Sequence, residues 1–226
     1  MVDYLSSCIN PFNPLFSLPK NKIIQSIKEY PDISHQLTYP IICKRQTACS
    51  STKSHEMTLI PSINQLEWMT HYEDYEPLLL QEFIQHDGII IKVYVADHQI
   101  YTSIRPSFMN MNQDGYAVHF DSQHLPKQFN HDKIIDPHLN KLISPSSFEN
   151  QQVQEKKESQ LDHRRLQEIA NLLQQKLGLT FFGFDVLIES NTNAYFIVDV
   201  NYFPSFKNVP NFQDIFIDII KKKLNL

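Results

Sequence analysis

The chain is expected to fold as an α+β protein of two small lobes, on three observations. A helix-and-strand unit comes first, followed by mainly antiparallel strands with helices. One segment, 161–177, repeats its apolar residues at clear helical spacing. Residues 180–205, TFFGFDVLIESNTNAYFIVDVNYFPS, read as two strands joined by a polar turn, each strand carrying an acidic residue inside an apolar run.

Taken in order, residues 1–18 are aromatic and punctuated by proline, an irregular lead-in. Residues 19–30 are expected to be helical, with Pro19 in the first turn and Ile23, Ile24 and Ile27 on one face. Strands follow at 40–44 and 57–60, around a polar loop at 45–54. A second helix is expected over 61–72, with Leu66 and Met69 inward. Strands at 78–84, 89–95 and 99–105 are expected to form one sheet, and 116–120 a further strand. The joint between lobes is placed near 81–88. Residues 141–160, rich in Ser, Gln and Glu, are expected to be a long flexible loop. In the helix at 161–177, Ser159 and Asp162 resemble a capping box, Leu166, Ile169, Leu173 and Leu177 recur on one face, and Gly178 is the stop. A last helix starts after Asn211 and ends in three lysines, which suits the helix dipole.

Composition narrows the function. The 226 residues are 42% hydrophobic, enough for a sizeable core, yet include only 4 glycines, so a glycine-rich phosphate loop is excluded. A net charge of −5 argues against general nucleic-acid binding. Three cysteines without metal-ligand spacing fit free thiols in a reducing compartment. No apolar run reaches transmembrane length, so no membrane partner is expected and the protein is read as cytoplasmic or nuclear.

The chemistry concentrates in the acidic hairpin. A carboxylate in a buried strand is costly unless neutralised. Asp199 and Asn201 share a face by alternation. With a turn at 190–194 and Glu189 opposite Tyr195, Asp185 falls opposite Asp199. Phe184, Val186, Ile197, Val198 and Val200 suggest that both faces are buried. Two carboxylates and an amide oxygen make a donor set for a hard divalent cation, most plausibly magnesium. Lys92, central in IIIKVYV, and Lys44, at the end of PIICK, are ammonium groups that would meet a phosphate. Arg105 follows a strand and suits bidentate phosphate binding; His55 stands where a loop re-enters a strand. The two lysines with the acidic hairpin form a nucleotide–magnesium set, whereas Arg105 and His55 carry little weight by themselves.

At these residues the sequence resembles the inositol-tetrakisphosphate 1-kinase family, also called inositol 1,3,4-trisphosphate 5/6-kinases. The matching strings are YPIICK at 39–44, SHEM at 54–57, QEFIQH at 81–86, KVYV at 92–95, RPS at 105–107, FGFD at 182–185 and VDVNYFPS at 198–205, in the family's order. The resemblance implies an ATP-grasp fold, two α+β lobes with antiparallel sheets enclosing a nucleotide cleft. Residues 1–84 would be the central lobe and 85–226 the C-terminal lobe with the metal site. It implies that Lys44 and Lys92 contact ATP phosphates, that Gln81, Glu82, Phe83 and Ile84 read adenine, and that Ser107 and Ser122 touch the nucleotide. Asp185, Asp199 and Asn201 would hold Mg²⁺, two ions being expected, and His55, Lys92, Arg105, Asn201 and Ser205 would contact the inositol polyphosphate, with Lys92 and Arg105 catalytic. The family transfers the ATP γ-phosphate to inositol hydroxyls, and a monomer is expected. Its members carry a further N-terminal domain, which this chain is expected to lack because the match begins almost at once. The alternatives are an ATP-grasp carboxylate–amine ligase and a truncated remnant that binds nucleotide or inositol phosphate without turnover.

Overall fold

The computed structural model describes residues 5–6, 8–9, 14–46, 52–126, 139, 142–143, 158 and 161–225. Among these residues nine strands form two antiparallel sheets: β1 (Asn21–Ile24), β2 (Ile41–Arg45), β3 (Glu56–Ile60), β4 (Leu78–Glu82), β5 (Ile89–Ala96), β6 (Gln99–Pro106), β7 (Val118–Asp121), β8 (Phe181–Ile188) and β9 (Tyr195–Asn201). The five-stranded sheet runs β1-β4-β2-β3-β7 and the four-stranded sheet β6-β5-β8-β9. The chain divides into two discontinuous units, one of 1–18, 89–105 and 148–226, the other of 19–88 and 106–147. A single boundary between 84 and 85 therefore differs from these units at three stretches: 1–18 group with the first unit, and 85–88 and 106–147 with the second.

In the first unit, helix α1 (His163–Leu177) packs Leu166, Ile169, Ala170 and Leu173 against Ile91, Val93 and Val95 of β5 and Phe182, Phe184 and Val186 of β8. Each such fully buried aliphatic side chain contributes roughly 1.5–3 kcal/mol. Asp162 is itself the N-cap, accepting from the Arg165 amide, and Ser159 of the expected capping box lies outside the described residues. The last turn closes on Gly178 at φ 67, a conformation that a Cβ would strain. The lead-in is tied down too. Ser17 bridges Phe196 beside β9, and Arg165 donates to the Leu15 carbonyl at 2.8 Å. Helix α2 (Phe212–Leu224) carries Lys221, Lys222 and Lys223 in its last turn, as expected.

Three expected elements take another form. The helix over 19–30 is replaced by β1, a 3-10 turn and one helical turn (Tyr30–Ile33). Pairing with β4 from Asn21↔Gln81 to Ile24↔Leu78 overrides the helical spacing, burying Ile24 and leaving Ile23 on the open side. Over 61–72 only a 3-10 helix forms (Glu67–His71), and Trp68 fills the core while Leu66 stays exposed. The expected single sheet of 78–84, 89–95 and 99–105 is split, because β4 joins β2 whereas β5 and β6 join β8. The loop expected at 141–160 lies outside the described residues apart from 142–143 and 158, as do residues 47–51 of the loop expected at 45–54.

The five-stranded sheet presents two different faces from alternate residues of β2. Ile41 and Cys43 enter a core with Ile60, Leu78, Leu80, Tyr30 and Trp68, and Arg45 follows them on that side. Arg45 is buried; it pairs with Glu76, with Glu56 at 2.9 Å, donates to the His71 carbonyl at 3.2 Å, and lies 4.8 Å from the centre of the Tyr72 ring. A buried guanidinium is tolerated only with charged partners of this kind, which here engage both terminal nitrogens although Nε has no hydrogen-bond partner. Replacing Arg45 by Met is expected to cost about 3 kcal/mol in urea unfolding, since two carboxylates then lose their shared cation; an unchanged midpoint would show the network to be energetically idle.

Candidate functional site

The acidic hairpin forms, but through a register different from the one expected. Ile188 lies opposite Tyr195, and Val186 opposite Ile197, one residue away from the pairing assumed. An irregularity between Asp185 and Val186 then shifts the ladder, so that Asp185 faces Asp199 after all and Gly183 faces Asn201. The extra residue, Val198, lets Ile197 and Val200 enter the same core as Phe184 and Val186. Both faces of this hairpin are thus not apolar: one packs on α1, and the opposite face carries Asp185, Asp199 and Asn201.

The neighbouring strands complete that polar face. Lys92 of β5 stands opposite Asp185 of β8. Its ammonium donates to both Asp185 oxygens, at 2.8 and 2.6 Å. Burial pushes the Asp185 carboxyl above the usual carboxylate range; Lys92 pulls it back, Asp199 raises it, and Arg105 lowers it again. Arg105 of β6 donates from Nη2 to the Tyr94 hydroxyl at 2.8 Å. Asn201 donates to Asp199 at 2.9 Å. Ser205 is exposed, in a segment held close by Pro204 above Gly183; a Cβ on Gly183 would stand 2.9 Å from Pro204 Cγ and 3.1 Å from the Val93 carbonyl. One sheet face of the first unit thus gathers Lys92, Arg105, Asp185, Asp199 and Asn201.

The donor chemistry fits magnesium: two carboxylates and an amide, all hard oxygens, with one carboxylate buried. Among the described residues no three His, Cys, Asp or Glu side chains are arranged so that they alone could hold a metal ion. An ion held here would therefore draw the rest of its shell from water and nucleotide phosphates, as magnesium commonly does.

The remaining expected residues lie in the second unit. The Lys44 ammonium donates to Gln81 Oε1 at 2.7 Å, both on the face of β2 and β4 opposite Arg45. The strand end at Gln81–Ile84 is partly used by the fold: the Glu82 amide donates to the Lys20 carbonyl, the Phe83 amide to that of Pro40, and His86 Nδ1 bonds the Ile84 carbonyl. The other ring nitrogen of His86 bonds the Ser107 hydroxyl at 2.8 Å. His55 and Ser122 each stand one residue beyond the Glu56–Asp121 pair, at the same end of the β3–β7 ladder. Sequence reasoning missed Tyr94 and His86 as partners of Arg105 and Ser107. Both sit inside quoted motifs, KVYV and QEFIQH, which was the available signal.

Solved structures that share the fold include ATP-grasp proteins. The RimK domain protein ATP-grasp from Sphaerobacter thermophilus aligns over 98% of this chain and 63% of its own, with TM-score 0.56 at 12% identity. An ADP complex of N5-carboxyaminoimidazole ribonucleotide synthetase covers 97% of this chain and 49% of its own, with TM-score 0.54 at 11% identity. The fold is thus that of an ATP-grasp domain. Residues 16–222 match the model of the inositol 1,3,4-trisphosphate 5/6-kinase ATP-grasp domain, and the chain belongs to that family. It is 31% identical to an inositol-tetrakisphosphate 1-kinase of Danio rerio, over 84% of this chain and 44% of that protein. It is 35% identical to inositol-tetrakisphosphate 1-kinase 6 of Oryza sativa subsp. indica, over 78% of this chain and 30% of that protein. The chain therefore spans less than half the length of these two relatives. Among the described residues no helix is long and apolar enough to cross a membrane.

His86 and His119 are both held below the ordinary imidazole value of 6.5, His86 by burial, His119 by burial and then by the stacked His71. At these two positions the unfolded chain binds protons that the folded one refuses, so the stability they contribute is complete above about pH 6.5 and falls as the pH drops from there. Urea midpoints should thus be lower at about pH 5.5 than at about pH 7.5, and replacing both histidines by Gln should remove most of that difference. An undiminished pH dependence in the double variant would refute the assignment.

Proposed function

We propose that the chain is an ATP- and magnesium-dependent kinase that transfers the ATP γ-phosphate to a hydroxyl of an inositol tris- or tetrakisphosphate. The observation that carries this reading is the face with Lys92 and Arg105 beside Asp185, Asp199 and Asn201. Cations and metal-binding oxygens on one rigid sheet suit phosphoryl transfer, which depends on positioning and charge neutralisation. Family membership narrows the acceptor to an inositol phosphate.

In this reading the inositol oxygen forms a bond to the γ-phosphorus as the bond to the β–γ bridging oxygen breaks; ADP departs with that bond's electron pair and the hydroxyl proton passes to solvent water. Lys92 and Arg105 offset charge on the moving phosphoryl group, and His55, Asn201 and Ser205 hold the acceptor's phosphates. Lys44, Ser107 and Ser122 hold the nucleotide. Adenine is read by groups of residues 81–84 other than the two amides and the carbonyl already bonded within the fold. Magnesium, two ions in this proposal, would be held by Asp185, Asp199 and Asn201 and supply charge neutralisation to the phosphates. The chain is taken to act as a cytoplasmic or nuclear monomer, without a nucleic-acid or membrane partner.

The test is transfer of γ-labelled phosphate from Mg–ATP to inositol 1,3,4-trisphosphate by the purified chain. The Asp199→Ala variant is expected to lose about a hundredfold or more in rate while keeping its melting temperature. Normal turnover by that variant would remove Asp199 from the metal set, and no transfer by the unaltered chain would remove the kinase assignment.

A further inference from the structure

We infer that Tyr94 is a positioning residue that sets the Arg105 guanidinium for a substrate phosphate. The inference rests on the kinase reading above. Tyr94 lies two residues beyond Lys92 on β5, on the same face of the sheet, and is only 4% exposed. Its hydroxyl accepts from Arg105 Nη2 at 2.8 Å. Among the described residues it is the acceptor that holds this guanidinium, since Arg105 Nε is buried without a hydrogen-bond partner. A long arginine side chain at a strand end sweeps many rotamers unless something pins it. Fixing its planar fork restricts the directions in which it can meet a phosphate.

The pin itself is rigid. The Tyr94 ring packs with Phe206 and Val209, its centroid 5.8 Å from that of Phe206. Its backbone is paired with Gly183, where the missing Cβ lets Pro204 approach the sheet. Phe206, the residue after Ser205, thus packs against the ring that orients Arg105. The ring is held by this packing, and its hydroxyl fixes the guanidinium.

Packing alone would also explain a buried tyrosine, and Tyr94→Phe separates the two roles because it keeps the ring and removes only the hydroxyl. The measurements are steady-state kinetics with Mg–ATP and inositol 1,3,4-trisphosphate, calorimetric affinity for inositol 1,3,4-trisphosphate, and thermal melting. Tyr94→Phe should lower kcat/KM for the inositol phosphate about tenfold or more and weaken its binding. KM for ATP and the melting temperature should stay unchanged. In an Arg105→Ala background the same substitution should have no further effect, because the two residues act as a unit. Tyr94→Phe with native kinetics and native affinity overturns the inference, as does an equal loss with and without Arg105. If the unaltered chain binds inositol 1,3,4-trisphosphate but transfers nothing, the kinase reading falls and the calorimetric comparison alone decides the role of Tyr94. A chain that neither binds nor transfers overturns both.

Discussion

A carboxylate in the middle of a central strand constrains everything around it. Asp185 is almost fully buried, and burial by itself would favour its neutral form. Lys92 opposes this from the adjacent strand with two short hydrogen bonds. The pair is stable only because the β5–β8 ladder sets both residues directly opposite one another and because the apolar face of the same strands is anchored on α1. The pair thus lies on the two central strands of the four-stranded sheet.

Two local devices bring the rest of the site to that pair. The irregularity at Val198 adds one residue to β9, so the apolar set Ile197 and Val200 and the polar set Asp199 and Asn201 each reach the correct face. Without it, a strict two-residue period could not serve both. Gly183 is the second device. Its missing side chain admits Pro204, which brings the chain leaving β9 back over the sheet beside Tyr94. The five-stranded sheet follows the same logic, with Cys43 and Arg45 of β2 on its packed face and Lys44 with Gln81 on the other.

The sequence by itself determined what depends on short-range rules. Four glycines excluded a phosphate loop, alternation put Asp199 and Asn201 on one face, and helical spacing with a glycine stop marked a helix over 161–177 that forms as His163–Leu177. Ordered short motifs carried the family and, with it, the fold. Tertiary structure decided what depends on partners distant in the chain. The spacing of Ile23, Ile24 and Ile27 suits a helix, but an open edge on β4 made 21–24 a strand, since pairing and burial outweigh a weak intrinsic preference. Asp185 reached Asp199 by a bulge that no residue pattern announced. Lys92 met a carboxylate 93 positions away, and Arg105 met a hydroxyl on the neighbouring strand. Side-chain direction along a strand is a local property of L-residues, whereas the identity of the side chain across the ladder is set by register, and register is fixed by the packing of the whole sheet.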